Sequence, residues 1–200
     1  MKIIIKLVLL LCIAALFYAI IESIMKPIRF NKERVKREQA AIEKLKDIRT
    51  AQIAYKSVHG EFADNFDDLV EFIKTDSFAV VNKIGRLTDS LIAAGWTEKI
   101  AEREGLIKRD TLKVPVKDSL FSKKYMVDSI MMVPFTNGKK FALGAGEVVT
   151  GSKLKVKVFE SYVKFDVLLH GMDPQLTTNY IEEREDITNF PGLKVGSLTE

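Results

Sequence analysis

Few residues of this 200-residue chain could ligate a metal or carry nucleophilic chemistry, since it holds two His and one Cys. His59 and His170 lie far apart, and Cys12 sits in an apolar run. No spacing typical of a zinc or copper site results. A helix-end His and a strand-end His account for both. Asp67–Asp68 and Glu182–Glu183 are paired carboxylates, the residue types of general acid and base catalysis. At a helix start and on a helix face, they read instead as dipole-favouring and solvated charges. Gly144-Ala145-Gly146-Glu147 could let a phosphate approach, but it lies in a strand pattern with no helix N-terminus after it. Nucleophile-elbow, Walker A and His-Glu-x-x-His motifs do not occur. No residue is assigned a catalytic, cofactor-binding or metal role. No cofactor is expected, and the chain reads as a non-enzyme.

Lys153, Lys155 and Lys157 recur along a candidate strand, with Lys139 and Lys140 nearby, as a nucleic-acid surface would require. The charge balance argues otherwise. Residues 61–200 hold 19 basic and 22 acidic residues, whereas residues 26–60 hold ten basic and four acidic. The sequence pI of about 9.0 therefore comes from one short segment. The strand lysines read as edge protection, and no nucleic-acid partner is expected.

The apolar residues are equally uneven. With 47% apolar and 29% charged residues the chain can build a core, and one Cys excludes a disulfide scaffold. Ile3 to Met25 is almost wholly apolar, interrupted by Lys6, Glu22 and Ser23. About twenty such residues span the ~30 Å hydrocarbon core of a bilayer. Lys6 and Glu22 stand near its ends, where long side chains reach the headgroups. Pro27 is expected to end or kink the helix. Residues 1–25 are thus read as a transmembrane signal-anchor, in contact with membrane lipids through residues 3–25. A cleaved signal peptide would need an Ala-x-Ala site after the apolar core. A lipoprotein would need a small residue where Leu11 precedes Cys12.

Orientation is contested. Lys26, Arg29, Lys32, Arg34, Lys36 and Arg37 on the far flank favour a cytoplasmic domain by the positive-inside rule. Large domains translocate largely regardless of charge, and a short basic N-terminus suits a signal-anchor. The expectation is a single-pass inner-membrane protein with a periplasmic domain.

Residues 26–60 form a juxtamembrane basic segment, with one helix expected over 31–58. Ala41, Leu45, Ile48, Gln52 and Tyr55 recur at spacings of four and three, with Ile42 and Ile53 widening the stripe. Arg34, Lys44 and Arg49 should stay wetter. Glu33–Arg37 and Arg34–Glu38 are i,i+4 pairs placed on the solvent side. Gly60 is a C′ stop. Asn65 caps a second helix, with Asp67 and Asp68 in its first turn and Leu69, Val70, Phe72 and Ile73 buried.

An N-terminal apolar helix followed by AIEKLKDIRTAQIAYKSVHGEFADNFDDLVEFIK resembles the N-terminal region of type IV pilins and type II secretion pseudopilins. The likeness covers about residues 7–75 and rests on Gln52, Tyr55, Gly60, Phe62 and Leu69. It departs from them in lacking a Gly-Phe-x-x-x-Glu prepilin-peptidase site, and Glu22 lies near the opposite end of the apolar run. Over most of its length the chain is also similar to uncharacterised single-pass membrane proteins of Bacteroidota, which implies no activity.

Residues 61–200 are read as an α+β soluble domain. A helical turn over 89–94 ending at Gly95, and a Thr97-capped helix to Glu104 stopped by Gly105, precede a β pattern that begins after Lys108. Strands are expected over 111–116, ending near Pro115, and over 126–135 and 139–149, joined by an Asn137-Gly138 type I′ turn. Gly144 and Gly146 suggest a bulge or a close backbone approach. Leu154, Val156 and Val158 alternate with Lys155, Lys157 and Phe159, and the strand resumes over 163–169. Asp173-Pro174 opens a helix to about Asp186, and a tail follows Phe190-Pro191-Gly192. The fold class is α+β: a transmembrane helix, then a long pilin-like amphipathic helix packed on a C-terminal antiparallel meander. The expected function is a non-catalytic, membrane-anchored scaffold component of an envelope assembly, touching other envelope proteins or copies of itself. The alternative is a periplasmic ligand-binding or sensing module with its pocket between helix and sheet.

Overall fold

Helix α1 runs from Lys2 to His59 without a break and carries the apolar and amphipathic segments in one element. A computed structural model describes residues 2–85, 88, 91, 95–106 and 108–199. Pro27 lies inside α1 and does not end it. A proline cannot donate to the carbonyl one turn back, at a cost of about 3 kcal/mol in a helix interior. The Arg29 guanidinium reaches the Glu22 carboxylate at 2.5 Å, tying together the turns on either side of the proline. Glu22, the acidic residue at the end of the apolar run, is therefore paired.

The buried stripe of α1 is narrower than expected. Ala41, Leu45, Ile48, Ala51 and Gln52 are buried, but Ile42 and Ile53 are exposed and Tyr55 is half-buried. Ile42 and Ile53 each stand one residue past the stripe, about 100° round the helix. Gly60, at φ +76°, ends α1, its N–H bonding the Lys56 carbonyl at 2.8 Å. The buried Gln52 amide then fastens the outgoing chain. Its Nε2 donates to the Ala63 carbonyl at 2.8 Å, and its Oε1 accepts from the Ala63 N–H at 3.0 Å.

Two compact units form: Met1–Arg49 with Met131–Glu200, and Thr50–Ile130. The division falls inside α1 and inside the 61–200 stretch. In the second unit, α2 spans Phe66–Thr75. Asn65 accepts from the Asp68 N–H, and Leu69, Val70, Phe72 and Ile73 are buried, as their spacing requires. Strand β1, Ser77–Ile84, pairs antiparallel with β2, Lys108–Pro115, from Ser77↔Pro115 to Ile84↔Lys108. The β structure thus begins well before Lys108. The Phe78–Val81 apolar run has no alternation to reveal it as a strand. Between them lies α3, Glu98–Arg103, with Thr97 at its N-cap position making no side-chain cap bond and Gly105 at φ +77° beyond its end. The turn expected over 89–94 lies outside the described residues, of which only Leu91 is placed. A short helix α4, Val116–Leu120, and a single 3-10 turn at Val127–Ser129 complete this unit.

The first unit holds the C-terminal antiparallel sheet, in the order β3-β4-β5. Its strands are β3 (Ala142–Val149), β4 (Lys155–Lys164) and β5 (Gly192–Gly196). The fold is α+β. The C-terminal stretch departs from the sequence pattern at four places. First, residues 126–135 are not a strand: 131–133 approaches 139–141 through one bridge, Met132↔Lys140. Pro134 has no N–H with which to extend that ladder. Gly138 has positive φ, as does Phe135, but Asn137 does not, so the turn is not type I′. Second, β3 carries no bulge, its register running unbroken from Ala142↔Tyr162 to Val149↔Lys155. A Cβ at Gly144 would instead meet Leu198 Cδ1 at 3.4 Å, so the glycines admit a neighbouring side chain.

Third, the buried face of β4 is Phe159, Ser161 and Val163, not Val156 and Val158, and the strand stops at Lys164. Phe165–Leu168 is helix α5, whose Asp166 carboxylate accepts from the Val167 N–H. Arg37 Nη1 satisfies carbonyls at its far end, Leu168 at 3.2 Å and His170 at 3.0 Å. Fourth, the residues after Phe190 are β5, paired with the whole second half of β4. Glycines at its two ends make that pairing possible: a Cβ at Gly192 would lie 2.4 Å from the Val163 carbonyl oxygen, and one at Gly196 2.1 Å from that of Phe159. Between α5 and β5 runs α6, Pro174–Thr188, capped by Asp173 and ended by Asn189 in the left-handed region.

Candidate functional site

Helix α6 is polar along most of its length, and Tyr180 is its buried residue. The ring meets Phe165 of α5 edge-on at 5.1 Å, and the Arg34 guanidinium of α1 lies 4.3 Å from its centroid. The hydroxyl donates to Glu38 Oε1 at 2.8 Å and accepts from Arg34 Nη1 and Arg184 Nε, both at 2.9 Å. Arg34 Nη1 also reaches both Glu38 oxygens, at 2.9 and 3.1 Å. The Arg34 and Glu38 side chains are only 15% and 13% exposed. Their i,i+4 pair therefore does not face solvent, and Arg34 is not among the wetter residues, because Tyr180 covers it.

Burial alone would lower the Arg34 pKa, but the bond to Glu38 and its charge outweigh burial and raise it. Burial is the largest cause raising the Tyr180 pKa, followed by the hydrogen bond to Glu38; the Arg184 bond opposes them. A tyrosine with a raised folded pKa stabilises the fold while protonated. That contribution is whole below the unfolded value near pH 10.0 and is lost as pH rises through the folded value. Tyr180→Phe should cost about 2 kcal/mol at neutral pH, since the lost bonds are to charged groups. The penalty should shrink above pH 10.0. Urea denaturation of both proteins in detergent, at neutral and alkaline pH, measures it.

Beside this cluster lies a cleft of about 430 Å³ bounded by α1, α5, α6 and β5. Ile42, Phe165, Phe190 and Leu193 supply apolar walls, and Glu38, Tyr180, Arg184 and Lys194 the polar groups. Its volume lies in the range of small-molecule sites, ~300–1,000 Å³. Arg184 spends only Nε, on Tyr180, and Lys194 Nζ lies 5.2 Å from the Phe190 ring centroid. Among the described residues neither cation has a carboxylate partner. The arrangement holds charge and shape.

His170 lines a different cleft, of about 440 Å³, with Phe135, Lys139 and Asp166. Lys36 Nζ stands 5.0 Å from the Phe135 ring there. His59 belongs to the other unit, where its Nε2 lies 3.3 Å from Asp76 Oδ2 and its ring 4.3 Å from that of Tyr55. Burial first, then the carboxylates of Asp68, Glu61, Asp64 and Asp76, raise the Tyr55 pKa. Among the described residues no three His, Cys, Asp or Glu are placed to hold a metal. Asp67–Asp68 sits in the first turn of α2, and Glu182 and Glu183 are exposed on α6. Gly144–Glu147 lies within β3.

Sequence reasoning did not find Glu38, Tyr180, Arg184 and Lys194 as a group. The one local signal is Tyr180 with Arg184 four residues on, an aromatic and a cation sharing one face of an otherwise polar helix. The chain matches no protein-family model, no curated protein and no solved structure.

Proposed function

We propose that the chain is a membrane-anchored, non-catalytic structural component of a cell-envelope assembly, pilin-like in build, with residues 3–25 in the inner membrane and residues 61–200 periplasmic. One observation carries the reading. Ile3 to Met25 is long and apolar enough to cross a bilayer, its large apolar side chains are exposed, and it continues as one helix into the buried stripe at Ala41–Gln52. The core helix of a soluble protein would bury such side chains. With Lys6 and the Glu22–Arg29 pair at its ends, the span keeps its charges at headgroup depth. A helix that leaves the membrane and packs into a small sheet-bearing unit suits copies or partners aligned along the same surface.

Carbonate extraction should leave the protein in the membrane fraction with its N-terminal residues present. A phosphatase fused to the C-terminus should be active. Release into the soluble fraction removes the anchor reading, and an inactive fusion with a cytoplasmic reporter active in its place reverses the orientation. Crosslinking in intact cells should then capture envelope proteins or a second copy. A ligand-binding module is the second reading, favoured by the cleft between α1 and β5.

A further inference from the structure

We infer that the cleft between α1, α6 and β5 binds a small carboxylate carried on an apolar body, with Arg184 and Lys194 receiving the acid group. The inference deepens the ligand-binding reading and rests on it; it does not depend on the anchor. Three observations point to this chemistry. The walls are apolar and aromatic, through Phe165, Phe190 and Leu193, which suits a ring or short chain. The one carboxylate in the lining, Glu38, is already held by Arg34 and by the Tyr180 hydroxyl, so it does not neutralise the remaining cations.

Those cations, Arg184 and Lys194, both line the cleft and lack acid partners among the described residues. The Arg184 Nε bond to Tyr180 fixes the guanidinium while leaving its two Nη groups unbonded among those residues. A planar fork pre-positioned in this way matches a carboxylate in two-point contact. No acidic residue stands three or four positions from Arg184 on α6, so its own helix offers no competitor. A cationic ligand of the same shape would meet like charge at Arg184 and at the exposed Lys194, and an uncharged one would gain no charge-assisted bond from either.

The full-length protein in lipid nanodiscs tests this by equilibrium dialysis against three probes of matched shape: phenylacetate, 2-phenylethanol and 2-phenylethylamine, with empty nanodiscs as the blank. Phenylacetate should bind at least about tenfold tighter than either other probe, the worth of one charge-assisted hydrogen bond. Lys194→Gln, which removes no hydrogen bond within the chain, should weaken phenylacetate about tenfold and leave 2-phenylethanol unchanged. Arg184→Gln should do the same, and Lys194→Glu should shift preference toward 2-phenylethylamine. Equal binding of all three probes would overturn the carboxylate inference while leaving a ligand-binding module standing. Binding of none above the blank overturns both.

Discussion

Leu45→Asp is expected to be the most damaging single substitution outside the apolar N-terminal span. Leu45 is 4% exposed and lies between Ala41 and Ile48, which are fully buried, on the same face of α1. Aspartate there would put a carboxylate into the buried stripe of α1. An unpaired buried charge costs several kcal/mol even after relaxation. That is comparable to the whole stability of a small domain, ~5–15 kcal/mol. Arg49→Asp introduces the same residue one turn on, at an exposed position. It should cost no more than about 0.5 kcal/mol. Urea denaturation of the detergent-solubilised chain, followed by circular dichroism, should show the transition of Leu45→Asp shifted far to lower denaturant and that of Arg49→Asp nearly unchanged. Equal shifts would mean that the stripe through Ala41, Leu45 and Ile48 does not hold the fold together.

The elements legible in the sequence are those whose determinants are local. Asn65 three residues before Asp68, Asp173 before Pro174, and Gly60 past the end of a helical pattern each act within one turn, and each does so here. The buried side of α2 follows from its period alone. What escapes reading depends on distant partners. Arg34 and Glu38 look like a surface ion pair until Tyr180, 142 residues beyond Glu38, is laid over them. Strand β5 is five residues with a glycine at each end, and only the backbone of β4 beside it makes those glycines necessary. The 163–169 run is apolar enough for either strand or helix; Val163 and Lys164 finish β4, and Phe165–Leu168 turns into a helix whose end Arg37 holds from α1 through the Leu168 and His170 carbonyls. The cleft inherits this difficulty, since its walls come from four elements spread between residues 38 and 194.

Gln52 separates local pattern from tertiary bonding, and its variants should behave differently with pH. By position it continues the apolar stripe; by chemistry it is a buried amide whose two ends bond the Ala63 carbonyl and N–H. Gln52→Ala strands both backbone groups, each costing about 1–3 kcal/mol when buried without a partner, and that loss should not vary with pH. Gln52→Glu keeps the length and changes one atom. As a carboxylate it can still accept from the Ala63 N–H, but its second oxygen faces the Ala63 carbonyl, and the charge is buried. As a neutral acid it donates to that carbonyl and restores both bonds. The folded-state pKa of the introduced Glu must then lie above its unfolded value of about 4.3. The neutral acid's contribution is therefore whole below about pH 4.3 and lost as pH rises through the folded value. Trp96, the chain's one tryptophan, lies in the same unit and reports its unfolding. Measured against wild type at each pH, Gln52→Glu should be several kcal/mol less stable at neutrality and close to wild type near pH 4, where Gln52→Ala stays destabilised. A Gln52→Glu deficit that persists unchanged in acid would show that the paired bonds to Ala63 are not what holds residue 52 in the core.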